Sequence, residues 1–133
     1  MSRLLDDLSP DFKPKAMELI ARCSEISIPV MMIYTGRTFE EQAELYAQGR
    51  FKPGPIVTWT LESKHVMRPP SFKAEAIDLC PWEEFRLKGP DKLGWNAGDP
   101  VWHDIGEIGL RLGLKWGVVR NGIRIDLGHF QLD

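Results

Sequence analysis

The sequence predicts an α+β domain with a small, largely antiparallel sheet and flanking helices. Two observations predict it. Apolar segments follow one another in the order helix, strand, helix, loop, strand, helix, hairpin. Asn121-Gly122 lies between two β-branched runs, where a tight turn joins neighbouring antiparallel strands. A length of 133 residues suits one domain over 1–133, enough to bury roughly two-thirds of the unfolded surface.

Each element has its own signal. From Pro10 to Glu25, Phe12, Met17, Leu19, Ile20 and Cys23 recur at helical spacing. Ser9 or Asp11 serves as N-cap, and Pro10 or Pro14 is tolerated in a first turn. Ile26–Tyr34 is short, apolar and partly β-branched, a buried strand that begins near Pro29. Thr38 and Glu41 spell a capping box that opens a second helix, Thr38–Gln48, stopped by Gly49. The prolines of Phe51–Ser71 make it mostly loop, with a short strand at Ile56–Thr60, and this loop delivers His65.

A strand over Ala74–Cys80 would put Ala74, Ala76, Asp78 and Cys80 on one face. Pro81–Pro100 reads as a long surface loop and Val101–Leu112 as a helix ending at Gly113. Leu114–Val119 and Ile123–Ile125 form the hairpin arms, and His129 follows in an irregular segment.

The formal net charge of −2 supplies no basic face for nucleic acid or an anionic membrane, and no apolar run reaches spanning length. Met1–Asp11 lacks the apolar core of a signal peptide, so the expectation is a cytoplasmically made monomer with no membrane insertion. Cys23 and Cys80 stand alone, as buried free thiols do, although Cys80 shares a strand face with Asp78 and so stays a possible ligand.

Of three histidines, His65 and His129 lie among polar or acidic neighbours in segments that look irregular. A catalytic zinc takes three protein ligands and leaves a fourth position to water, a need that two histidines and one carboxylate meet. Asp78 is the carboxylate best placed, because a charge on a short apolar strand calls for a partner such as a cation. Glu75, on the opposite strand face, is the fallback, and His103 reads as an ordinary helix residue. By themselves these residues suit structural roles better than a metal site, and Asp126-Leu127-Gly128-His129 alone reads as a turn in which Asp126 bonds its own backbone.

The stretches TGRTFEEQAELYAQGR, PGPIVTWT, SKH, AEAID and DLGHF, between about Ile33 and Leu132, resemble the phage endolysin branch of the zinc D-Ala-D-Ala-type peptidases. That family carries Ser-x-His-x-x-Gly-x-Ala-x-Asp and a later acid-x-x-His. Ser63-x-His65, Ala76-x-Asp78 and Asp126-x-x-His129 match in order. The resemblance implies the hedgehog/DD-peptidase-like fold, zinc on His65, Asp78 and His129, and Asp126 as general base. It further implies that Arg37 contacts the substrate carboxylate or carbonyl, with Gln42 and Ser63 as further substrate-binding residues.

The expected activity is hydrolysis of the peptidoglycan stem peptide between L-Ala and D-Glu, for host lysis with access through a holin. A D-Ala-D-Ala carboxypeptidase or dipeptidase shares the metal site and is the alternative enzyme; a non-catalytic cell-wall-binding or phage structural module is the alternative of another class. The pattern departs at one place: thirteen residue steps separate His65 from Asp78 instead of seven, through extra residues around Met67–Phe72, and Ala74 replaces the glycine. The five tryptophans either pack the interior or line a groove.

Overall fold

The computed structural model describes residues 1–133. Three helices, α1 (Lys13–Glu25), α2 (Phe39–Ala47) and α3 (Val101–Arg111), accompany four strands, β1 (Val30–Tyr34), β2 (Ala76–Pro81), β3 (Leu114–Arg120) and β4 (Ile123–Leu132). The strands form one sheet in the order β1-β2-β4-β3 with every pairing antiparallel, so the α+β expectation holds. Asn121 and Gly122 both adopt positive φ, as a tight hairpin turn requires, and close β3 onto β4.

The core lies where α1 and α3 meet the sheet. Phe12, Ala16, Leu19 and Cys23 of the first helical segment pack with Trp102 and Ile105 of α3 and with Ile77, Leu79, Trp116 and Phe130 of the sheet. Side chains alternate along a strand, so the burial of Ile77 and Leu79 in this core turns Asp78 the other way. The helices stabilise; the opposite face of the sheet is free for chemistry.

Close packing of α3 depends on absent side chains. A Cβ built on Gly109 would lie 2.4 Å from Phe130 Cε1, and one on Gly106 2.4 Å from the Trp116 ring. Replacing glycine by alanine inside a helix ordinarily gains up to about 1 kcal/mol. Here overpacking reverses the sign: Gly109→Ala is expected to lose about 1–3 kcal/mol in urea unfolding at unchanged m-value. A gain in midpoint would contradict this packing.

The helix limits follow their caps. Thr38 Oγ1 accepts from Glu41 N (3.1 Å) while Glu41 Oε1 accepts from Thr38 N (2.9 Å), the reciprocal box read from the sequence. Ser9 accepts from Phe12 N through Oγ (3.2 Å), and its carbonyl accepts from Lys13 N (2.9 Å), so Pro10 belongs to the entering turn.

Three local expectations are corrected. Ile56–Thr60 forms no strand, despite its β-prone residues, because side chains take its carbonyls: Arg50 Nη1 donates to Thr58 O (3.1 Å) and Gln42 Nε2 to Thr60 O (2.7 Å). Strand β2 begins at Ala76 because Ala74 is already engaged elsewhere, donating to Asp7 O (2.7 Å) and accepting from Ser9 N (2.8 Å). Finally, β4 continues to Leu132, which places His129 inside a strand.

Candidate metal centre

Strand register brings two of the three expected ligands together. Asp78 of β2 pairs directly with His129 of β4, and Tyr34 of β1 flanks Asp78 on its other side. Between β3 and β4 the register jumps: Trp116 faces Phe130, whereas Val118 faces Ile125. Extra residues of β4 therefore bulge outward, and they are Asp126-Leu127-Gly128-His129. The bulge is allowed by Gly117 (φ 61°) and carries Asp126 at φ 55°, a conformation aspartate tolerates better than most residues. Gly128 passes so close to β2 that a Cβ there would meet Leu79 O at 2.2 Å. The DLGH run is thus a β-bulge and not the isolated tight turn its spelling also suited.

His65 arrives from the long loop, held by backbone. Arg37 N donates to His65 O (2.8 Å), Met67 N donates to Arg37 O (2.8 Å), and His65 N donates to Ser63 Oγ (3.2 Å). The His65 ring is almost wholly buried, and its Nδ1 lies 2.6 Å from Thr35 O. A carbonyl only accepts, so Nδ1 carries the hydrogen and Nε2 is left with a lone pair. That Nε2 is buried and has no hydrogen-bond partner, since Asp78 Oδ1 at 3.2 Å does not complete one.

His129 shows the same logic with its nitrogens exchanged. Nε2 lies 2.8 Å from Gln131 Oε1, which places a hydrogen there, and Nδ1 faces Asp78 Oδ1 at 3.1 Å. Two lone pairs aimed at one carboxylate repel unless a cation sits among them. Two cations suit the place. One is a proton: Asp78 holds the His129 pKa above its ordinary value, although burial alone would lower it. Burial likewise tends to raise the Asp78 carboxyl, but His129 and His65 overcome it and keep the group far below the usual carboxylate range.

The other is a metal ion. Ligand atoms of His65, Asp78 and His129 all lie within 4.8 Å of one another. Zinc bonds of 2.0–2.2 Å in a tetrahedron separate ligand atoms by about 3.3 Å, close to the two observed imidazole–carboxylate distances. The donor set therefore fits the ion that the family pattern implies.

Around the donors opens a cavity of about 890 Å³, lined by Arg37, Ser63, Asp126 and the three donors together with Trp59 and Arg120. Asp126 lines the wall; desolvation of its carboxyl there and the Asp78 charge raise its pKa, against the pull of His129, His65 and Arg37. Arg37 lies 3.6 Å from Asp78 Oδ2 through Nη2 and donates from Nη1 to Gln42 Oε1 (3.1 Å). Gln42 is buried and does not reach the cavity, which corrects its expected contact with substrate: it locks Arg37 to the 58–60 segment. Ser63 lines the cavity while holding the His65 backbone.

The alternatives fall away on position. Glu75 pairs with Lys64 (3.6 Å), and His103 is exposed on α3 with its ring edge-on to Trp116. Cys80 belongs to the core beside Ala74 and Leu79, and burial pushes its thiol up to about 12 and that of Cys23 to about 11. Both should resist iodoacetamide in the folded protein at pH 8 and react only on unfolding; rapid native labelling of Cys80 would place it outside the core. Trp102 and Trp116 are core residues, whereas Trp59 faces the cavity. The added residues Met67–Phe72 fold beside the site, with Arg68 paired to Lys73 and Met67 packed onto Gly36.

Thr35 and Gln131, which fix the two imidazoles, are not foreseen. Gln131 had a signal, being two residues from His129 in an extended segment and hence on its face. Thr35 acts through its backbone carbonyl, to which residue type is no guide.

No family model matches the chain. The peptidoglycan L-alanyl-D-glutamate endopeptidase CwlK of Bacillus subtilis (strain 168) is 35% identical over 121 residues, which take in 84% of this chain. The chain spans 65% of that relative's length. The crystal structure of the Serratia marcescens L-Ala D-Glu endopeptidase ChiX superposes with a TM-score of 0.62 at 18% identity, covering 97% of this chain and 83% of that one, and so shares the fold. The chain is thus similar in sequence to CwlK and shares its fold with ChiX, and its His65, Asp78 and His129 donors converge where one metal ion could be held.

Proposed function

We propose that the chain is a zinc endopeptidase that cuts the peptidoglycan stem peptide between L-Ala and D-Glu. The observation that carries this reading is the cavity that the three metal donors share with the Asp126 carboxylate and the Arg37 guanidinium. Likeness to CwlK, named for that activity, supplies the substrate class.

His65, Asp78 and His129 would hold the ion. When bound, it supplies a Lewis acid that lowers the pKa of water to about 7 and polarises a carbonyl oxygen. Asp126 accepts the proton of the attacking water through its carboxylate and returns it to the departing amine. Its place on the bulge, three residues before His129, aims it into the same cavity. Arg37, kept in orientation by Gln42 and Asp78, places positive charge where the scissile carbonyl oxygen becomes negative. Ser63 shapes the wall by anchoring His65.

The test is digestion of purified peptidoglycan by the zinc-loaded chain, with released termini identified by mass spectrometry. New D-Glu amino termini are expected. Release of free D-Ala would favour the carboxypeptidase, and no cleavage by metal-loaded protein would favour a wall-binding or structural module. The proposal extends to a phage setting, in which the chain is made in the host cytoplasm and reaches the wall through a holin. Co-expression in a bacterial host should then cause lysis only when a holin is present, and lysis without one would contradict that route.

A further inference from the structure

The cavity wall carries three long-chain cations, and they differ in how they are engaged. Arg37 faces Asp78 at 3.6 Å, and Lys64 faces Glu75 at 3.6 Å. Arg120, at the end of β3, has no carboxylate within ion-pair distance and no side-chain hydrogen bond. Its guanidinium lies 4.5 Å from the centre of the Trp59 ring, and Trp59 belongs to the 56–60 segment across the cavity. An arginine seated over an aromatic face spends none of its N–H donors on the ring, which leaves the fork of its own guanidinium plane available to a planar anion. The stacking costs it none of the five.

Trp59 is itself tethered. The carbonyls of Thr58 and Thr60 on either side accept from Arg50 and Gln42, and Gln42 also holds Arg37. The metal-side arginine and the platform for the rim arginine are therefore fixed through one buried glutamine. The cavity thus offers one guanidinium beside the donors and a second, unpaired one on its wall.

We infer that Arg120, seated on Trp59, recognises the free α-carboxylate of the substrate residue on the leaving side of the cut bond. This rests on the reading of the chain as a stem-peptide endopeptidase, and it adds the determinant of substrate charge. In the stem, D-Glu continues through its γ-carboxyl, so its α-carboxylate projects sideways as the anion nearest the scissile bond. A bidentate arginine–carboxylate pair suits that planar group; a carboxamide in its place loses the charge and one acceptor.

Two short stem peptides, one with the D-Glu α-carboxylate and one with the α-carboxamide, test the assignment. The wild type should prefer the carboxylate by about tenfold or more in kcat/KM, mainly through KM, and Arg120→Gln should reduce the preference to about twofold or less. Trp59→Leu should weaken it in part, since the guanidinium loses its platform. Calorimetric titration of zinc-loaded Asp126→Asn with both peptides reads binding without turnover, so the inference stands or falls even if no bond is cut. An undiminished preference in Arg120→Gln, in hydrolysis or in binding, overturns the role of Arg120. Failure of zinc-loaded wild type to hydrolyse either peptide would instead remove the endopeptidase reading, and the two failures are thereby distinct.

Discussion

Asp126→Ala is expected to lower kcat by about 10²–10⁴-fold while leaving one bound zinc per chain, because a positioned general base contributes on that scale. The residue is not one of the three donors and lines the cavity that they share. Its substitution removes a proton acceptor without opening the metal site. KM should change little, since a base that acts on water makes no contact with the peptide's binding groups. A further check separates this role from a structural one: Asp126 sits at φ 55°, so Asp126→Asn, which tolerates that conformation, should fold as wild type and still be inactive. Near-wild-type turnover by either variant would exclude Asp126 as the base.

Zinc should stabilise the folded chain strongly, and His129→Ala should abolish the effect. At free zinc one hundred times its dissociation constant, binding to the native state alone adds about 2.7 kcal/mol. For a domain of this size that raises Tm by roughly 10 °C. The pH dependence has a definite sign. Asp78 raises the His129 pKa, so the metal-free protein is stabilised by a proton at low pH, and that contribution is lost as pH rises through the raised value. Zinc competes for the same place. Its increment in Tm should therefore stay small while His129 keeps that proton, through the ordinary histidine range, and grow only as pH rises through the raised value. Differential scanning calorimetry with and without zinc across that window measures it. An increment that persists in His129→Ala, or that shrinks with rising pH, would mean the ion binds elsewhere.

The sequence made some of this site legible and concealed the rest, for physical reasons. Local signals carried the elements whose formation is local: the Thr38–Glu41 box depends on atoms three residues apart, and the Asn121-Gly122 turn on two backbone conformations. The burial of Ile77 and Leu79 on either side of Asp78 was likewise written in the alternation of an apolar strand. The bulge at Asp126–His129 was not, because it exists only through the register of β3 against β4 and the close approach of Gly128 to Leu79. The same holds for Ile56–Thr60, whose composition favours a strand but whose carbonyls are claimed by Gln42 and Arg50 from outside the segment.

The lengthened connection between His65 and Asp78 shows why ligand spacing along a chain is a weak constraint. His65 is placed by its backbone bonds to Arg37 and Ser63 and by Thr35, all N-terminal to it, whereas Asp78 is placed by β2. The residues between them need only close a loop, and closure cost grows slowly with length. Six extra residues therefore leave the donors within reach of one ion.

The most direct test of the account is a crystal of the zinc-soaked chain measured on both sides of the zinc absorption edge. A single strong anomalous peak bonded to His65 Nε2, Asp78 and His129 Nδ1 is expected. A peak at Glu75, at Cys80 or on the surface, with those three side chains unligated, would contradict it.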